Sequence, residues 1–362
     1  MYRQLRLCWL LSGYKGYRVH MDPVSQGTVG AAFAQGASNK RNIFKVGFVG
    51  FLAGLAPDLD VLIRSETDPV LFLEYHRQFT HSFFFIPLGA LLVSLFVFPF
   101  VKASLSFKKT YLASLLGYAT HGLLDACTSY GTLLFWPFSN ERITWNNISI
   151  VDPLFTIPAL ILVVVAMKTG QRMFSFMAIG WIIFYLGLGF VQYERAASAA
   201  TVLAQSRGHN PERLTLKPSF GNLILWKSIY QHDNSFYVDA IRSVGSSTWC
   251  SGQATSIFNY ASHLPALEEG SQQNKDIERF RWFSQDYLGF DKERSLVTDV
   301  RYSLLPNQIT PMWGLVIDVK RGPTAHATWW SSRDLDQGQL GAFKDMLSGE
   351  SCTGTLDGRA SN

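Results

Sequence analysis

At 362 residues, with 48% apolar and only 16% charged residues and a mean hydropathy of +0.09, the chain is long enough for two domains and too apolar for an ordinary water-soluble protein. The formal charge of +5 does not imply a nucleic-acid partner, because Arg3, Arg6, Lys15 and Arg18 contribute four of those charges ahead of the first acid, Asp22, and the remainder makes no basic groove. The four cysteines, Cys8, Cys127, Cys250 and Cys352, have no CxxC or Cys-His spacing, which excludes a zinc finger.

Residues 1–20 hold one apolar run, LCWLL, too short for the core of a secretory signal, and read as an upstream extension with Met21 as the start. Residues 24–37 and 46–57 predict a hairpin of short helices, the second carrying Gly50-x-x-x-Gly54, a spacing that lets helix backbones approach closely in lipid. Residues 82–101 and 173–193 are uncharged, each close to the roughly 20 residues needed to cross a bilayer. Two further spans are predicted over 110–133, interrupted by His121 and Asp125, and over 149–167, entered at Asp152-Pro153. Beyond about residue 193 the pattern changes. Residues 223–244 predict two aromatic-rich strands around His232-Asp233-Asn234, residues 311–322 another strand, and residues near 275–288 and 335–347 helices. The expected fold is a mostly α membrane bundle over 21–193, four long spans plus the hairpin, followed by a soluble α+β domain over 194–362.

Lys40, Arg41 and Lys45, then Lys102, Lys108 and Lys109, then Lys168 and Arg172 fall in three loops that the positive-inside rule assigns to the cytoplasm. The opposite loops hold Asp58, Asp60, His76 and His81, so the C-terminal domain is expected outside the cytoplasmic membrane. Cys250 and Cys352, isolated in that domain in an oxidising compartment, are able to pair there. His209, His232, His263 and His326 lack metal spacing, and the domain is expected to be accessory.

Ionisable residues beside a bilayer are costly unless paired or bound. His121 and Asp125 are four apart, so on a helix both project from one face and can address one ion. Taken alone, that spacing is also met by a hydrogen bond between two buried polar groups. His76 and His81 are five apart and would diverge by about 140° on one helix, so a turn ending near Thr80 is needed to point both inward. Asp58 and Asp60 follow Pro57 at a helix end. Together these clusters on three segments make a site of mixed His and carboxylate donors, which suits zinc best and also accommodates manganese or iron.

The blocks MDPVSQGTVGAA, GLAPDLDVL, HRQFTHS, HGLLDACTSYGT with WPF, PSFGNLILWKSI and VTDVRYS, in this order and spacing, resemble the YdjM-like family of inner-membrane metal-dependent hydrolases. That family is itself distantly similar to zinc-dependent phospholipase C. The resemblance implies a multi-pass protein of the bacterial inner membrane, phosphoester chemistry, and a divalent metal held by Asp58, Asp60, His76, His81, His121 and Asp125. Members commonly carry a His where this chain has Gln26, which then either weakens one metal position or holds a metal-bound water. The implied mechanism is metal-assisted hydrolysis by Asp58, His76, His81, His121 and Asp125 without a Ser or Cys nucleophile. Arg77 would grip a phosphate through its planar fork or anchor at headgroup level. A membrane phospholipid or lipid-linked phosphate at the outer face is the expected substrate. The alternative is a non-catalytic membrane protein whose metal braces the bundle while it binds a partner.

Overall fold

The computed structural model describes residues 22–334 and 336–355; the 1–20 extension lies outside them. Asp22 caps the first helix, α1 (Pro23–Gly36), accepting from the Val24 N–H at 3.1 Å, with Pro23 preset at the first helical position. α2 (Ile43–Leu55) runs directly into a 3-10 turn, Ala56–Leu62. After α3 (Leu71–Tyr75) a second 3-10 turn, Phe79–His81, precedes α4 (Ile86–Val101) and α5 (Phe107–Ala126). α1, α2 and α5 meet backbone to backbone at Gly50, where a Cβ would lie 2.6 Å from the Gly30 carbonyl oxygen. No larger residue fits without parting the helices. α6 (Pro153–Thr169) is capped by Asp152 and ended by Gly170 in the left-handed region, and α7 (Arg172–Ser206) follows.

The four-span expectation is corrected here. Among the described residues, α7 is the one helix that is by itself long and apolar enough to cross a membrane. α4 has 16 residues and α6 has 17, reaching about 24–26 Å at the helical rise, short of an apolar layer of about 30 Å. Leu71–His81 and α4 make a second candidate only if taken together as a span broken by an 86° bend. α5 has 20 residues but buries a polar stripe that includes Thr110, Ser114, His121 and Asp125. The apolar runs overshoot the helices they suggest: Ser82–Phe85 form a turn ahead of α4, and the chain has left α5 by Cys127.

C-terminal to α7 the chain forms β1 (Arg213–Pro218), β2 (Leu225–His232), β3 (Ser235–Ser243) and β4 (Ser247–Ser256), then the single turn α8 (Tyr260–His263) and α9 (Gln272–Phe283). Next come β5 (Leu288–Asp291), β6 (Leu296–Asp299), β7 (Trp313–Val316), β8 (Thr328–Ser331), α10 (Gln337–Ser348) and β9 (Thr353–Thr355). Two antiparallel sheets result, ordered β1-β2-β3-β4-β9 and β5-β6-β7-β8. The hairpin expected over 223–244 is β2–β3, with Asp233 at φ 50° in its turn. The strand expected over 311–322 is shorter, because a 3-10 turn begins at Val319. Cys250 on β4 is disulfide-bonded to Cys352.

The sheets do not fold away from the helices. One hydrophobic cluster joins Ala32, Phe155 and Ile182 to Leu216, Trp226 and Ile241. Another joins Leu73 and Tyr130 to Phe280, Phe283 and Leu315.

Candidate metal centre

Four side-chain atoms from three chain segments converge: Asp58 Oδ1, His81 Nε2, His121 Nε2 and Asp125 Oδ2. His81 Nε2 lies 3.0 Å from His121 Nε2, 3.1 Å from Asp125 Oδ2 and 3.5 Å from Asp58 Oδ1. His121 Nε2 lies 3.4 Å from Asp58 Oδ1 and 3.6 Å from Asp125 Oδ2. Donors about 2.0–2.2 Å from a tetrahedral ion stand about 3.3–3.5 Å apart, so these separations suit one small divalent cation. His81, His121 and Asp125 are fully buried, while the Asp58 side chain keeps 16% exposure.

The hydrogen bonds explain why the donors face inward. α2 ends against α5, and its Gly54 carbonyl accepts from His121 Nδ1 at 2.5 Å, which places the neutral ring's lone pair on Nε2. The 3-10 turn Phe79–His81 rests on α5 at Gly122, where a Cβ would meet the His81 carbonyl at 2.3 Å. His81 Nδ1 lies 3.3 Å from Asp60 Oδ2, whose negative charge holds the proton there and again leaves Nε2 facing the cluster. Two nitrogen lone pairs and two carboxylate oxygens thus face one another. Asp58 Oδ1 accepts no hydrogen bond of normal geometry, and Asp125 Oδ2 has the Arg77 guanidinium 3.0 Å away on its far side. A buried carboxylate oxygen left like that of Asp58 is costly, and a divalent cation would satisfy all four donors at once. The residues therefore fit a metal.

Asp60 faces the other way. Its carboxylate accepts from His76 Nδ1 at 2.7 Å, Arg77 N at 3.0 Å and Thr80 Oγ1 at 2.8 Å. Burial raises its carboxyl, but the imidazoles of His81 and His76 outweigh that and hold it far below the usual carboxylate range. Asp58, similarly penalised by burial, is held down by His121 and His81. The turn between the two histidines makes this geometry: α3 stops at Tyr75, His76 is extended, and Arg77 takes φ 63°. The rings of His76 and His81 then stand 5.9 Å apart. Asp58, Asp60 and His76 form a second grouping of suitable donors that shares Asp58 with the first.

Arg77 is wholly buried, its Nε 3.0 Å from Asp125 Oδ2 and its Nη1 donating to Thr128 Oγ1 at 3.0 Å. It does not reach the surface as a headgroup anchor. Gln26 donates from Nε2 to Asp125 Oδ1 at 2.8 Å, turning the other oxygen of that carboxylate toward the cluster. The Gly54 carbonyl and Thr128 escape sequence reading because neither belongs to a chemical motif. His326, expected to stand apart from any cluster, lies 3.0 Å from Asp276 and groups with Asp68. Arg279 already serves that acidic group, pairing with Asp68 at 2.8 Å, Glu74 at 2.5 Å and Asp276 at 3.3 Å.

The helical segment thus combines one helix long and apolar enough to cross a membrane with a buried His/Asp cluster of metal-ligand type. Residues 21–196 match the family model of the YdjM inner membrane protein, and that segment contains Asp58, His81, His121 and Asp125. The N-terminal part of the chain is thus similar to the YdjM inner membrane proteins, over just under half of the chain's length. Over 132 residues the chain is 26% identical to the uncharacterized protein YfhP of Bacillus subtilis (strain 168), covering 36% of this chain and 40% of that protein. The match therefore spans about two fifths of that relative's length. No solved structure matches the chain.

Proposed function

We propose that the protein is a metal-dependent phosphoesterase of the inner membrane, acting on a phospholipid or lipid-linked phosphate. The observation that carries this reading is the convergence of Asp58, His81, His121 and Asp125 around a point that suits one cation. When bound, the ion, zinc by donor set, supplies Lewis acidity toward a phosphoryl oxygen and lowers the pKa of a coordinated water. The chain's own residues do the positioning. Gly54 and Asp60 fix the two rings, Gln26 and Arg77 hold Asp125, and Asp58 is the donor closest to solvent. Beside the centre runs an apolar groove of about 470 Å³ lined by Leu52, Leu55, Phe85, Leu92 and Phe96, with Thr80 at its edge. Thr80 also contacts Asp60 and His81, so an acyl chain in the groove brings its headgroup to the donors.

The test is metal content per protein, measured beside hydrolysis of phospholipids and lipid-linked phosphates. About one equivalent of zinc and turnover that both fall in His121→Ala are expected. A second reading, a bracing metal without catalysis, is favoured by the count of protein donors, since four fill a tetrahedral ion and leave no place for substrate. Full metal occupancy with no turnover on any phosphoester would select it.

We also propose that the sheets lie outside the cytoplasm, from Lys168 at the end of α6 and Arg172 at the start of α7 and from the Cys250–Cys352 bond. A periplasm-active reporter fused at residue 210 should be active and a cytoplasm-only reporter silent. The reverse pattern would refute the orientation.

A further inference from the structure

A second site lies between the sheets and the loops that flank α5 and α6. It is a cavity of about 410 Å³ whose walls include Ser129, Ile150, Lys217, Lys227, Tyr302 and Trp313. Lys217 and Lys227 are direct cross-strand partners on β1 and β2, and they are 6% and 4% exposed. Like charges set opposite each other on a sheet repel, and burial adds to the cost.

Among the described residues neither lysine forms an ion pair, and the one carboxylate that favours their charge, Asp299, acts without touching them. Lys217 Nζ donates to the Arg301 carbonyl at 3.2 Å and sits 3.0 Å from the Tyr302 ring centre. Lys227 Nζ donates to Ser303 Oγ at 2.7 Å and to the Gln308 carbonyl at 2.6 Å. The neighbouring carboxylate, Asp299, is taken by Arg301 through two hydrogen bonds of 2.9 and 2.7 Å. Burial pushes Lys227 down to about 7, and it drives Lys217 well below the usual lysine range, with Arg301 adding to that shift. Each buried amine is thus poised to take up a proton as an anion enters.

We propose that this cavity binds a small amphiphilic phosphate, its phosphate group between Lys217 and Lys227 and its apolar body against Tyr302 and Trp313. Protonated together as the ligand enters, Lys217 and Lys227 match the charge of about −1.5 to −2 on a phosphate monoester near neutral pH; a carboxylate would match only one of them. The volume exceeds that of a bare phosphate and falls in the range of small-molecule pockets. The site is separate from the metal centre and does not depend on its chemistry.

Full-length protein in detergent, treated with chelator, is titrated calorimetrically with hexyl phosphate, inorganic phosphate and hexanoate. Hexyl phosphate is expected to bind at least tenfold more tightly than either of the others. Lys217→Met and Lys227→Met should each weaken it tenfold or more, while the ligand-free variants melt at an unchanged or higher temperature, since an apolar residue replaces a buried polar group. Hexyl phosphate binding no more tightly than inorganic phosphate, or no more tightly than hexanoate, overturns the proposal, and so does unchanged affinity in both variants. The ligand series on unmodified protein decides the matter even if a variant fails to fold.

Discussion

Asp125→Ala is expected to lose bound metal and about 3–5 kcal/mol of stability together, because the same carboxylate serves two partners. It faces His81 and His121 in the centre and lies 3.0 Å from Arg77 Nε, and Arg77 is 0% exposed. Removing one partner of a buried ion pair leaves the other charge uncompensated, which accounts for a loss of that size. Arg77→Met added to Asp125→Ala should recover most of the stability and none of the metal. Metal analysis and unfolding in detergent read the two effects separately. Metal retained in Asp125→Ala would remove Asp125 from the donor set, and stability unchanged in that variant would show that the Arg77 pair contributes nothing.

The second large effect is expected from Asp60→Asn, with metal affinity falling about 10–100-fold although Asp60 turns away from the four converging atoms. Every group around its carboxylate is a donor: His76 Nδ1, the Arg77 N–H, Thr80 Oγ1 and His81 Nδ1. Asn keeps one accepting oxygen and turns an NH2 toward a donor, so the His81 ring loses the partner that fixes its tautomer. Arg77 would also lose an acceptor for its backbone N–H at a left-handed φ that costs about 1–3 kcal/mol to hold. Competition titration with a zinc chelator measures the change. An affinity within twofold of wild type would mean that Asp60 does not orient the centre.

The sequence made the donors visible and hid their division of labour. His121 and Asp125 announce a shared helical face by their spacing, and both are wholly buried on that face of α5. The reversal between His76 and His81 was required by their five-residue separation, and it occurs at Arg77. Which of Asp58 and Asp60 faces the cluster depends on how a 3-10 turn lies against α5, and no local pattern encodes that. Gln26 illustrates the same limit: its hydrogen bond to Asp125 spans 99 residues. The span count failed for a different reason. Apolar composition continues through turns as readily as through helices, so 82–101 and 110–133 appeared longer than α4 and the apolar part of α5.

The joining of helices and sheets in one core sets an order of events during synthesis. Tyr302, 173 residues downstream, donates to the Ser129 carbonyl in the loop leaving α5, and Arg279 reaches back 211 residues to Asp68. At translation rates of about 5–20 residues per second, the metal donors emerge on the order of ten seconds or more before the residues that brace the loops beside them. A newly made chain therefore passes through an interval in which its donors are present and their supports are missing. If the centre takes up its ion, the frame around the donors is complete only once the C-terminal sheets have been made, and a chain stalled before Arg279 would carry all four donors without the Arg279 and Tyr302 contacts that brace the loops beside them.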